Sequence, residues 1–103
     1  MEMAALGSCM AAWPAGGLAA YGFCAGTHLA VCREPEDFGA EAKWLRSRAA
    51  VRSAMGRAAQ SLVHARHTVG TRAAQLLAWL RELAAGRMCS GRHEEGEFCL
   101  TPA

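Results

Sequence analysis

Five apolar residues recur at every seventh position in the middle of the chain, and this spacing constrains the fold more than any other feature. They are Met55, Leu62, Val69, Leu76 and Leu83. A spacing of seven keeps side chains on one side of a helix and is typical of coiled-coil seams. The pattern therefore predicts a long amphipathic helix whose narrow apolar face packs against another helix.

Local signals place both ends of this helix. Pro35 suits a first helical position, and Glu36 and Asp37 would then lie in the first turn, so the helix is expected to begin near residues 35–38. Asp37 as N-cap is the alternative start, and Gly86 is expected just past the helix end. Because the seven-residue phase continues across Gly70, we predict one helix that is weak there. A break into helices near 37–67 and 71–86 is the alternative.

Composition favours helices over strands. The 103-residue chain has no Ile, three Phe and one Tyr, and much of its apolar content is alanine. It lacks the β-branched and aromatic runs that strands need, and its length allows one small domain at most. We therefore predict an all-α fold, in which an N-terminal helix and the long helix form a hairpin that turns at residues 33–36.

The first part of the chain, residues 1–34, is its apolar part. Residues 3–32 contain no formally charged side chain, which is long enough to cross a bilayer. Alanine and glycine dominate, so insertion would be only marginally favourable. We predict a helix with a candidate membrane span over about residues 15–32. Gly22 and Gly26 have small-xxx-small spacing, which lets two helices approach closely.

The middle part, residues 35–87, is basic. Residues 40–87 hold nine Lys and Arg against two Glu. Basic amphipathic helices are typical of contacts with anionic lipid or acidic partners, although a solvated face is the alternative. We predict anionic-surface contacts through four arginines: Arg46, Arg52, Arg57 and Arg66. No nucleic-acid-binding motif is present, so nucleic acid is not the expected partner.

The last part, residues 88–103, is predicted to be a flexible, disordered acidic tail. Two sets of cysteine and histidine invite comparison with metal sites: Cys24, His28 and Cys32 in the first part, and Cys89, His93 and Cys99 in the tail. Neither has a standard zinc spacing, and the total of five cysteines shows no disulfide framework. We predict no metal and no cofactor.

Two further histidines, His64 and His67, lie on either side of Arg66 on the polar side of the predicted long helix. A neighbouring positive charge opposes the binding of a cation. We therefore expect both rings to be solvated.

Motifs that would indicate catalysis are missing. The sequence has no Gly-x-Ser-x-Gly turn, no His-Glu-x-x-His pair and no phosphate-binding loop after a strand. We therefore predict no enzymatic activity and no small-molecule substrate.

The expected function is that of a non-catalytic, membrane-associated intracellular adaptor or assembly protein. Its expected partners are another helix, from a second copy or another protein, and an anionic membrane surface. One alternative is a soluble, cytosolic helical module that binds an acidic protein or nucleic acid. Another is a weakly folded product of a GC-rich reading frame without selected function, because the chain has no Asn and one Lys against ten Arg.

Overall fold

The computed structural model describes residues 1–14 and 16–102 and has both helices and strands. The helices are α1 (Glu2–Ala5), α2 (Gly16–Ala20), α3 (Pro35–Arg46), α4 (Ala49–Arg66) and α5 (Val69–Ala84). The strands are β1 (Ala11–Ala12), β2 (Ala30–Val31), β3 (Cys89–Glu94) and β4 (Glu97–Pro102). β1 and β2 pair in parallel, and β3 and β4 form an antiparallel hairpin. The all-α prediction is therefore wrong.

Three helices occupy the region where one long helix was predicted. The alternative break near Gly70 is closer to the structure, but α4 ends at Arg66 and α5 already begins at Val69. Thr68 is the N-cap of α5, where its side-chain oxygen accepts a hydrogen bond from the Thr71 N–H at 3.1 Å. This bond satisfies a backbone donor that a helix start leaves free, and so favours a new helix at this point.

The boundaries of α3 have local causes. Its start at Pro35 confirms the expected position, with Glu34 and Asp37 forming a reciprocal capping box around the first turn. At its other end, the Arg52 guanidinium donates to the carbonyl oxygens of Leu45 at 2.5 Å and Arg46 at 2.6 Å. The last carbonyls of a helix lack partners within it, so these bonds stabilise the end of α3 that the sequence pattern did not predict.

The N-terminal segment is not the predicted continuous helix. It forms α1, β1, α2 and β2, and both helices end at a glycine with positive φ, Gly7 at 79° and Gly22 at 89°. Each glycine N–H and the N–H that follows it bond back to the preceding turn, as in a Schellman motif. No helix among residues 1–14 and 16–102 is long and apolar enough to span a bilayer. Ala15, at the start of the predicted span, lies outside the described residues.

The N-terminal segment packs on one face of α4, where the core lies. Buried residues on this face are four apart: Met55, Ala59, Val63 and then His67 just after the helix. Ala59 and Val63 pack with Ala4, Phe23 and Leu29, while Met55 packs with Ala30 and Leu45. The spacing of four moves this face away from the seven-residue seam, so the core does not follow the predicted stripe.

The C-terminal part is an ordered hairpin, so the prediction of a disordered tail is wrong. Its register pairs Arg92 with Cys99 and His93 with Phe98. The two turn residues, Glu95 and Gly96, have φ angles of 49° and 88°. Positive φ at both positions is typical of the type I′ turn, whose twist matches that of paired strands. The prediction that Gly86 follows the end of the preceding helix is confirmed, since it lies after Ala85 with φ of 79°.

The closest backbone approach between the N-terminal segment and α4 lies at Gly56. A Cβ on this residue would lie 2.1 Å from the Gly7 carbonyl oxygen. We expect Gly56→Ala to lower the free energy of unfolding by about 1–3 kcal/mol, because the N-terminal segment must shift. Urea unfolding measures this change.

Gly39→Ala is the matched control, since Gly39 is in α3 and a Cβ there meets nothing within 4 Å. It should raise the stability by about 0.5–1 kcal/mol through helix propensity. Equal stability of Gly56→Ala and the wild type would contradict the close contact.

Candidate functional site: the outward face of α5 and the α4–α5 corner

The apolar side chains of α5 face the solvent. We define the α5 face by five residues with helical spacings of four and three: Val69, Ala73, Leu76, Leu80 and Leu83. The side chain of Val69 is 88% exposed, and those of Leu76 and Leu80 are 57% and 50% exposed. Leu77 borders the α5 face and is also exposed. No residue of α5 is buried.

A neighbouring side of α5 is more polar, and it is the side that packs on the protein. Its half-buried residues include Arg72, Gln75 and Trp79. Arg72 donates to the Gln75 side chain at 3.0 Å, and the Trp79 indole donates to the Cys89 carbonyl at 3.1 Å. The amphipathic helix therefore has the reverse of the usual orientation, in which the apolar face is buried.

The predicted seven-residue seam is divided between the core and the α5 face. Met55 is buried, and Leu62 packs at the edge of the same core. Val69, Leu76 and Leu83 lie outside it on the α5 face. The seam prediction assumed one helix, and the break before Val69 separates these two groups. The role of all five residues in helix packing stays a prediction.

His67 lies in the junction between α4 and α5. We call this junction, residues 67–68, the α4–α5 corner. Its Nε2 lies 2.7 Å from the Tyr21 carbonyl oxygen, and its Nδ1 lies 2.6 Å from Nη2 of Arg72. The carbonyl can only accept and the guanidinium can only donate, so Nε2 donates to the carbonyl and Nδ1 accepts from Arg72. The expectation of a solvated ring is wrong for His67, which is buried, whereas His64 is exposed.

The β3–β4 hairpin packs on this corner beside an open groove. The groove has a volume of about 950 Å³ and is lined by Ala19, Ala20, Arg66, His93, Glu94, Glu95, Glu97 and Cys99. The Gly96 N–H donates to the Ala20 carbonyl at 2.9 Å, and Arg66 forms an ion pair with Glu97. These contacts join the end of α2, the end of α4 and the hairpin turn.

His93 is the hairpin residue closest to the centre of the corner. Its ring centroid lies 4.7 Å from that of Tyr21, and its Nε2 is buried without a hydrogen-bond partner among the described residues. Burial lowers the pKa of His93 below its ordinary value, and the positive charge of Arg72 lowers it further. His93 is therefore neutral at pH 7.

The four arginines predicted to contact an anionic surface have different environments. Arg52 bonds to the end of α3, and Arg66 pairs with Glu97. Arg46 and Arg57 are exposed. Contact with an anionic surface stays a prediction, and two of the four side chains already have partners within the protein.

Gly22 and Gly26 lie outside helices. Gly22 follows α2, and a Cβ there would lie 3.1 Å from the Gly96 Cα, so this glycine allows close contact with the hairpin turn. Gly26 lies in a turn with φ of 82° and open space around it. The continuous helix that would place both on one face is not formed, and their role in packing between helices stays a prediction.

The cysteine and histidine sets do not form clusters. Cys24 is exposed and Cys32 is buried, and Cys89 and Cys99 lie on different strands opposite Pro102 and Arg92. In the part of the chain that the structure describes, no three His, Cys, Asp or Glu side chains gather in a way that would hold a metal ion. Burial raises the pKa of the Cys32 thiol, which makes it a poor nucleophile.

Comparison with known proteins gives one match. A family model described as glycosyl transferase-like matches residues 1–78. The chain belongs to this glycosyl transferase-like family. The matched segment extends from α1 into α5 and stops before the β3–β4 hairpin. No curated protein and no solved structure matches the chain.

Sequence reasoning missed the contribution of the hairpin to the corner. The sequence Glu95-Gly96 has a glycine at the second turn position, which is one signal of a two-residue hairpin loop. The flanking strands do not alternate clearly between apolar and polar residues, so the acidic composition led to the prediction of a disordered tail. No local signal indicated that His67, Tyr21 and His93 would meet.

Replacing His67 tests the corner. In His67→Phe the ring still fits beside Phe23 and Tyr21, but the Tyr21 carbonyl loses its donor and Arg72 loses one of its acceptors. We expect the free energy of unfolding to fall by about 1–3 kcal/mol. Thermal unfolding followed by circular dichroism measures the change.

His64→Phe is the control, because the His64 ring is exposed and makes only a solvent-accessible contact with the Ala5 carbonyl. Its effect should stay within about 0.5 kcal/mol. Equal losses in the two variants would contradict the structural role of His67.

Proposed function

We propose that this protein is a non-catalytic assembly protein that pairs with a second copy of itself along the α5 face. The observation that carries this proposal is the reversed orientation of α5. Its apolar side chains face solvent while its polar side packs on the hairpin and the corner. Water contact with this stripe costs free energy that a helix partner would recover.

The shape and spacing of the α5 face suit another helix. Side chains separated by four and three residues form the same narrow stripe that pairs helices in coiled coils. The helix has 16 residues and is therefore about 24 Å long. The stripe carries no charged residue, so a second apolar stripe can cover it without burying an unpaired charge.

A second copy of the chain is the occupant that these features favour. The stripe is apolar along its whole length, so it is complementary to itself in a twofold arrangement. Twofold pairs that use the same surface on both subunits are the commonest assemblies of soluble proteins. The other apolar segments in the described ranges do not supply an occupant, because the N-terminal segment already packs on α4.

The size of the α5 face sets the expected affinity. One short helix from each copy buries less surface than the roughly 1,200–2,000 Å² of standard stable interfaces. We therefore expect a weak dimer that dissociates on dilution. A weak dimer forms more completely where many copies of the chain are held close together, as they are in an assembly.

Sedimentation equilibrium tests the proposed dimer. The average mass of the wild type should rise from one to two chains as concentration increases. Leu76→Arg should remain monomeric, because two arginines would be buried at the centre of the interface. Its fold should be retained, since Leu76 is 57% exposed in the single chain. Circular dichroism checks that retention.

Leu6→Arg is the matched control, because Leu6 is 79% exposed just after α1 and is not part of the α5 face. It should dimerise like the wild type. A wild type that stays monomeric at the highest soluble concentration, or a Leu76→Arg variant that still dimerises, would refute the proposal.

Family membership makes glycosyl transfer the competing function. The match covers residues 1–78 and so includes α4 and the first part of α5. A transferase would bind a nucleotide sugar and release the nucleotide. For the non-catalytic role we expect neither a rise in the unfolding temperature nor nucleotide release with UDP-glucose or GDP-mannose. Saturable stabilisation together with nucleotide release would replace our proposal with the enzymatic one.

A further inference from the structure

The β3–β4 hairpin is attached to the rest of the protein at a small number of points. The Gly96 N–H bonds to the Ala20 carbonyl, and Glu97 pairs with Arg66. At its base, the Cys89 carbonyl accepts the Trp79 indole N–H. The His93 ring lies between these points and packs against Tyr21. A change in the charge of His93 therefore affects the middle of the surface through which the hairpin contacts the rest of the protein.

We propose that the hairpin is a pH-dependent clasp that detaches from the α4–α5 corner when His93 is protonated. This inference goes beyond the proposed dimer. The clasp packs on α5 at Trp79, whereas the α5 face is exposed to solvent and takes no part in that contact. Clasp and dimer can thus be tested separately.

The surroundings of His93 favour its neutral form. Aromatic rings flank the half-buried imidazole, with Phe98 at 5.3 Å and Tyr21 at 4.7 Å between ring centroids. The buried Nε2 has no hydrogen-bond partner among the described residues. A neutral ring can leave this nitrogen unprotonated, but a charged ring must carry a proton there. The protonated state therefore buries a donor with nothing to accept its hydrogen bond.

Charged and titratable groups from each packed element surround His93. Arg72 of α5 is positively charged, and His67 before α5 is hydrogen-bonded to the Tyr21 carbonyl and to Arg72. Tyr21 follows α2 and faces His93 with its aromatic ring. On the hairpin itself, Glu94 and Glu97 are paired with Arg92 and Arg66, while Cys99 and Glu95 line the same groove. Arg72 thus opposes a positive charge on His93.

The direction of the pH effect follows from the lowered pKa of His93. Well above the ordinary His pKa of about 6.5, the ring is neutral whether the hairpin is docked or detached, and docking has its full stability. As the pH falls below that value, a detached His93 binds a proton before a docked one does. Docking therefore weakens progressively until the pH reaches the lower pKa of the docked ring.

Two N–H groups report on the clasp directly. The Gly96 amide is protected only while it bonds to the Ala20 carbonyl, and the Trp79 indole only while it bonds to Cys89. We would measure their hydrogen-exchange protection by NMR on the whole chain from pH 7.5 to pH 5. Both protection factors should fall together, by about tenfold for each unit that separates the two pKa values of His93. Core amides of α4 should keep theirs.

His93→Phe is the decisive variant, because phenylalanine fits the aromatic surroundings and cannot be protonated. Its Gly96 and Trp79 protection should not change between pH 7.5 and pH 5. His64→Phe is the matched control and should behave like the wild type, since His64 lies away from the hairpin and contacts Ala5. A transition that persists in His93→Phe, or constant protection in the wild type, would overturn the proposal.

Glu97→Gln provides a second test that leaves His93 in place. It removes the ion pair with Arg66 that also holds the hairpin. The proposal predicts lower protection at every pH and a detachment that is complete at a higher pH than in the wild type. An unchanged pH profile would count against the clasp even if His93→Phe failed to fold.

Discussion

The close contact between the backbone at Gly7 and helix α4 at Gly56 is the constraint on which the rest of the structure depends. A side chain at Gly56 would occupy the position of the Gly7 carbonyl oxygen. Because Gly56 has no side chain, the backbone at Gly7 can approach α4. Ala4 can then pack against Ala59, and Phe23 and Leu29 can cover the same core. A small domain has little apolar area to bury, so its stability depends on backbone approaches of this kind rather than on large side chains.

The second constraint is the change of helix axis at His67 and Thr68. Thr68 caps α5, and His67 connects the end of α4 to Tyr21 and Arg72. Once α5 leaves the direction of α4, the side chains of Val69 and Leu76 no longer lie above the core that contains Met55. The same local bonds that close the corner therefore leave an apolar stripe in water, and the proposed dimer follows from that geometry.

Signals within a few residues predicted local structure well. Pro35 with its acidic neighbours indicated the start of α3, and Gly86 indicated the end of α5. The long helix was wrong because a periodicity of seven describes which side chains share a face but does not detect a break that preserves the phase. The all-α prediction and the disordered tail were wrong because composition says little about a hairpin whose stability comes from distant residues. Tyr21, His67 and His93 meet only in three dimensions, so no spacing along the chain predicts their contacts.

The hydrogen bond between Gly96 and Ala20 has a consequence for the order in which the protein folds. It joins the C-terminal hairpin to the N-terminal segment, whereas α3, α4 and α5 form from neighbouring residues. Closing a loop of that length costs conformational entropy before any contact is gained, and contacts between distant residues form slowly. The hairpin should therefore dock after the helices and the Gly56 contact have formed. Until then, Trp79 and Tyr21 are exposed. The folding chain therefore passes through a state in which both the α5 face and the surface that the hairpin will cover are in contact with water.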